Sequence, residues 1–143
     1  MLGEIIAEGK GKRTARRVVA TEPIFKVEVS FEEQGVLLGV LGMNIGTYTS
    51  SPKPDGSLDG YGEGVFASMD GDFVTWKGIG VGRFGEGGAV HYAGSISYTT
   101  KSEKLSRLNQ VAGVFEFSVD AEGNTQGKIW EWTAAAKANA AGA

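Results

Sequence analysis

Residues 58–98 read LDGYGEGVFASMDGDFVTWKGIGVGRFGEGGAVHYAGSISY, with glycine at every second position twice over, at Gly60, Gly62 and Gly64 and again at Gly78, Gly80 and Gly82. Successive side chains of a strand point to opposite faces, so each triplet leaves one bare row on one face. Glycine inside a strand costs conformational entropy and packs nothing. Two such rows therefore predict a strongly coiled sheet, or one on which a ring or another backbone lies closely. Asp70-Gly71 between the rows is a hairpin signal, and Gly85-Glu86-Gly87-Gly88 turns the chain again. Residues 57–67, 73–84 and 89–100 then form an antiparallel meander.

Outward from this meander the same alternation recurs. Phe25, Val27, Val29 and Phe31 alternate with Lys26, Glu28, Ser30 and Glu32, the pattern of a half-buried strand bounded by Pro23 and by Gln34-Gly35. Residues 36–50 are nearly continuously apolar. Gly39, Gly42 and Gly46 would each cost a helix about 1 kcal/mol, which decides for one long bent strand or two. The N-terminal segment is read as a long, bulged strand, because Gly9 and Gly11 oppose a helix. Val111, Phe115, Phe117 and Val119 share a face opposite Glu116 and Ser118, and residues 125–133 close the domain with Trp130 and Trp132 on one face. In KSEKLSRLNQ, Ser102 is placed to cap a short helical turn that carries Leu105 and Leu108 onto the sheet or across a barrel mouth.

About eight evenly spaced strands without crossover helices predict an all-β fold, an antiparallel up-and-down β-barrel with at most one short helical turn. Closure removes sheet edges, which favours the barrel over a sandwich. The 143 residues suit one domain over 1–133, with the alanine-rich 134–143 as a frayed or added tail.

Composition excludes several functions. A formal charge of −3 argues against a general nucleic-acid binder. With no cysteine there is no disulfide framework or thiolate chemistry, and the single His91 excludes multi-histidine metal sites. No metal and no cofactor are expected, because Walker and H-E-x-x-H motifs are absent and the string Gly78–Gly82 lacks dinucleotide-loop spacing. No apolar run reaches the ~20 residues of a membrane-spanning helix, and no leader pattern opens the chain, so the expectation is a cytoplasmic protein without membrane or nucleic-acid partners.

The segments G-Y-G-E-G-V-F at 60–66, W-K-G-I-G-V-G-R-F at 76–84 and Y-A-G at 92–94 resemble small eight-stranded barrels of the calycin and allene oxide cyclase-like kind, and uncharacterised prokaryotic proteins with such glycine rows. The resemblance covers the middle half of the chain and rests on glycine spacing. It implies an interior able to take a small apolar ligand, often in an oligomer, and carries over no catalytic residue.

Which face of the glycine rows looks inward decides the rest. Inward glycines are favoured, because rings are needed above them to reach normal packing density. Trp76, Tyr92, Trp130 and Trp132 are then the expected ligand-binding lining, with Tyr98 also inside. Ile79 and Val81 become an outer apolar strip suited to a subunit interface in a homo-oligomer. If the lumen is mixed, Arg83 and Glu63 are the polar groups to orient a ligand. Low-ranking catalytic candidates are Glu63, His91 and Glu116, each weighed against a plain surface role. The basic cluster Lys10, Lys12, Arg13, Arg16 and Arg17 is read as a solvated strand end, with anion binding as the alternative. The resulting expectation is a barrel that binds a small hydrophobic or amphipathic molecule. The alternatives are an oligomeric structural barrel with a packed interior, and a cofactor-independent cyclase or isomerase.

Overall fold

A computed structural model describes residues 1–134. Eight strands run in sequence order, β1 (Leu2–Ala20), β2 (Lys26–Leu37), β3 (Val40–Pro52), β4 (Leu58–Ser68), β5 (Phe73–Phe84), β6 (Val90–Thr100), β7 (Ala112–Val119) and β8 (Asn124–Trp132). Every neighbouring pair is antiparallel and β8 returns to β1, so the sheet is a closed up-and-down barrel. Two 3-10 turns, Glu86–Gly88 and Ser106–Gln110, are the only helical elements among the described residues. None of these is long and apolar enough to cross a membrane. Of the expected tail at 134–143, all but Ala134 lies outside the described residues.

The glycine rows face inward. A Cβ on Gly64 would collide with the indole of Trp76, and one on Gly82 would come within 2.6 Å of the Tyr92 ring, which also overlies Gly60. Gly80 receives Phe115 in the same way, at 3.1 Å. Each ring therefore occupies the space that a neighbouring strand leaves bare, and that exchange lets a narrow barrel hold large aromatics at close-packed density.

The β2–β3 connection departs from the sequence reading. β2 does not stop near Gln34-Gly35 but runs on to Leu37, and the chain reverses in two residues, Leu38 (φ 49) and Gly39 (φ 77). Two positive φ values match the right-handed strand twist that tight hairpins require. Leucine is a rare occupant of such a position, so the sequence carries no Asn-Gly or Asp-Gly signal there. β1 is long and bulged as expected, with register shifts between Arg13 and Ala15 and again near Ile5.

One end of the barrel is plugged. Ser102 Oγ accepts the backbone N–H of Leu105 at 3.2 Å, and the turn that follows drives Leu105 and Leu108 to 1% and 0% exposure. They pack with Ile6, Leu37, Phe66, Val74, Ile96 and Val111 into an apolar floor. At the opposite end the Glu86–Gly88 turn buries none of its residues.

Candidate functional site

The inward alternation of β2, through Val27, Val29 and Phe31, takes one further step to a carboxylate. Glu33 is only 5% exposed. Its side chain crosses the barrel wall over Gly9 and Gly127, where a Cβ would lie 3.1 Å and 3.7 Å from Glu33 Oε1. Thr125 Oγ1 donates to Glu33 Oε2 at 2.8 Å. Asn44 sits directly across the β2–β3 ladder from Glu33, and its Oδ1 accepts Trp76 Nε1–H at 2.8 Å. Burial pushes the Glu33 carboxyl above the ordinary carboxylate range, opposed by its hydrogen-bonding contacts with Thr125 and Asn44. Such a group donates a proton when neutral and accepts one when ionised, and its environment favours the neutral form.

Around this polar centre stand rings. Phe31 and Phe117 pack at 4.9 Å between centroids, Tyr48 and Tyr92 meet edge to face at 5.4 Å, and Tyr48 and Phe117 do so at 5.8 Å. Tyr92 Oη donates to Ser50 Oγ at 3.1 Å or accepts from it. A cavity of about 120 Å³ remains among them, bordered by Phe31, Glu33, Tyr48, Trp76, Tyr92, Tyr98 and Phe115. It is somewhat smaller than the engineered apolar cavity of roughly 150 Å³ that binds benzene. The Tyr98 hydroxyl is buried without a hydrogen-bond partner, and burial pushes its pKa up. An unpaired buried hydroxyl costs roughly 1–3 kcal/mol, a cost that an acceptor beside it would remove.

Trp76 and Tyr92 thus lie where the sequence placed them, as does Tyr98. Trp130 and Trp132 do not. In β8 the inward positions are Thr125, Gly127 and Ile129, while Trp130 pairs with the outward Val114 and Trp132 is 50% exposed. The lumen at this level is already filled, because Phe117 and Glu33 both lie over Gly127. Glu63 and Arg83 are likewise outside. Glu63 is exposed and accepts the Tyr61 hydroxyl at 2.8 Å, and Arg83 is exposed beside His91 on the outer face. Glu116 and His91 are exposed and outward too, so none of the three catalytic candidates reaches the lumen. Ile79 and Val81 are on the exterior, at 62% and 40% exposure.

Sequence reasoning missed Glu33, Asn44 and Thr125. The signal for Glu33 is the parity of β2, which the alternation over 25–32 carries only as far as Glu32 although the strand runs on to Leu37.

No family model matches the chain, and no curated protein does. Solved structures do. A protein with unknown function from Clostridium acetobutylicum ATCC 824 is similar over 93% of this chain and 98% of its own, at 13% identity and a TM-score of 0.80. A beta-barrel like protein from Acinetobacter baumannii AYE is similar over 92% of this chain and 94% of its own, at 12% identity and a TM-score of 0.77. An enzyme from Penicillium herquei covers 90% of this chain and 92% of its own, at 14% identity and a TM-score of 0.61. At these identities the likeness is one of fold.

Proposed function

We propose that this barrel binds a small, largely apolar molecule carrying at least one polar group, in the space between its aromatic walls and Glu33. The observation that supports this best is the 120 Å³ cavity, which has rings on its sides and, on its border, both a buried carboxyl and an unpartnered hydroxyl. A packed structural interior has no use for the last two, since buried polar groups without full partners destabilise a core. Rings supply contact area, and a few placed polar groups fix orientation, which is the usual composition of a ligand pocket.

The glycine rows themselves provide a test. Gly78 alone among their six glycines has room for a Cβ at ordinary van der Waals contact, 3.5 Å from its nearest neighbour. The Cβ of Gly78→Val therefore meets no backbone collision, and the side chain takes up part of the cavity that Gly78 borders. Small ring compounds are expected to raise the melting temperature of the wild type in a saturable way and to have a much weaker effect on Gly78→Val. A panel with no effect on the wild type, or an equal effect on both proteins, would contradict the reading.

A second reading concerns assembly. Tyr61 and Ile79 are direct cross-strand partners, 48% and 62% exposed, and Val81 adjoins them at 40%. Three exposed apolar side chains on two adjoining strands support self-association through this face, with a second copy of the chain as the partner.

A further inference from the structure

The basic cluster of β1 is divided by the barrel wall. Arg17 is outward and pairs with Glu28 at 3.3 Å. Arg13 is the ladder partner of Phe31 and Arg16 that of Val29, both of which are buried inward residues, so the bulge between Arg13 and Ala15 gives both arginines inward register at the end opposite the leucine floor, where Arg13 is half-buried and Arg16 exposed. Among the described residues neither makes an ion pair. The β7–β8 turn wraps this point, with Arg13 N–H donating to the Gly123 carbonyl at 2.7 Å. Of the two carboxylates of that turn, Asp120 is already committed, because it accepts the backbone N–H groups of Glu122 and Asn124 and the Asn124 side-chain amide, each at 2.9 Å, and Glu122 is exposed and makes no ion pair among the described residues. On the lumen side the arginines face Tyr48, the Val29 partner on β3, whose ring borders the cavity. Burial raises the Tyr48 phenol, and the positive charges of Arg13 and Arg16 oppose that rise.

We propose that the ligand is an amphipathic anion, a small ring bearing a carboxylate, with its ring among Phe31, Trp76 and Tyr92 and its carboxylate held at the barrel end by Arg13, Arg16 and the Tyr48 hydroxyl. This rests on the lumen-binding reading above and adds the chemical class and the orientation. A guanidinium presents paired donors that match a carboxylate, and two of them beside a phenol O–H supply enough donors for both oxygens. The opposite pole of the ligand then lies toward Glu33 and Tyr98. The free Tyr98 hydroxyl donates there, and the Glu33 carboxyl donates when protonated and repels a second anion when ionised, so a carbonyl or hydroxyl oxygen on the ring's far side is accommodated and a second anion is not favoured. A cation is opposed by the arginines at entry.

Benzoate, benzyl alcohol and benzylamine share a ring and differ in charge. Their binding, followed by titration calorimetry on the wild type and on the Arg13→Gln/Arg16→Gln double variant, tests the proposal. The wild type is expected to bind benzoate roughly tenfold or more tightly than benzyl alcohol, as a charged hydrogen bond would give. The double variant is expected to lose that preference while keeping its affinity for benzyl alcohol. Equal binding of the acid and the alcohol by the wild type, tighter binding of the amine, or a preference that survives the double substitution would overturn the anion assignment and leave lumen binding standing. Failure of all three probes to bind would overturn both.

Discussion

Glu33 is the only buried carboxyl group among the described residues. Its pKa is raised in the fold by burial, so the folded chain holds a proton that the unfolded chain releases at a lower pH. Stability is accordingly highest below the unfolded value of about 4.3 and falls as pH rises toward the folded value. Glu33→Gln keeps an oxygen for Thr125 to donate to and removes the buried charge. It is expected to raise the melting temperature by a few degrees at pH 8 and to flatten the decline between pH 4.5 and 8, as scanning calorimetry across that range would register. An unchanged pH profile would mean that Glu33 does not titrate in this window. Tyr98→Phe removes a hydroxyl without a partner and is expected to leave stability unchanged or raise it by up to about 1 kcal/mol in urea unfolding, whereas a loss of more than that would reveal an accepted hydrogen bond. Little of this polar centre was legible in the sequence. The odd-position alternation from Phe25 to Phe31 points straight at Glu33, but a glutamate beside Glu32 and Gln34-Gly35 looks like a strand end. Only the continuation of β2 to Leu37 turns it inward.

Among the elements, the meander of β4, β5 and β6 was readable almost completely, because glycine at alternate positions fixes parity whatever the strand's exact ends. Its inward direction followed from volume, since rings need bare wall opposite them. The same rule misplaced Trp130 and Trp132. β8 has apolar residues on both faces, and sequence does not show that Phe117 and Glu33 already cover its inner side at Gly127. The seat of Trp76 is the sharpest check on the glycine rows. Gly64→Ala places a methyl group against the indole and is expected to cost roughly 1–3 kcal/mol in urea unfolding, as overpacking does. A neutral result would show that the ring moves freely. The leucine floor is the other structural commitment of the fold. Leu108 is fully buried, and Leu108→Ala is expected to cost roughly 2–5 kcal/mol by the same measurement. A cost below 1 kcal/mol would mean that the 3-10 turn can lift away from the barrel end.

For the whole molecule, seven connections between successive antiparallel strands and the β8–β1 pairing leave no sheet edge, and the interior divides into an apolar floor, a ringed cavity with one carboxyl, and an end where Arg13 and Arg16 hold inward register. The exterior carries many exposed large apolar side chains, of which Tyr61, Ile79 and Val81 form one patch. If that patch joins two copies, Ile79→Asp lowers the mass measured by size exclusion with light scattering. The same mass for both proteins would count against it. The barrel and its strand order could be read from the sequence because periodicity and turn chemistry are local. The division of the basic cluster between inside and outside could not, since it depends on a bulge in β1. The cavity itself is tested most directly through Trp76, the one tryptophan inside the barrel. In a Trp130→Phe/Trp132→Phe background, its emission is expected to change saturably when a small ring compound is titrated in, and the change is expected to vanish when Gly78→Val is added. Emission that responds to no ring compound, in a protein shown to be folded, would contradict an open aromatic lumen.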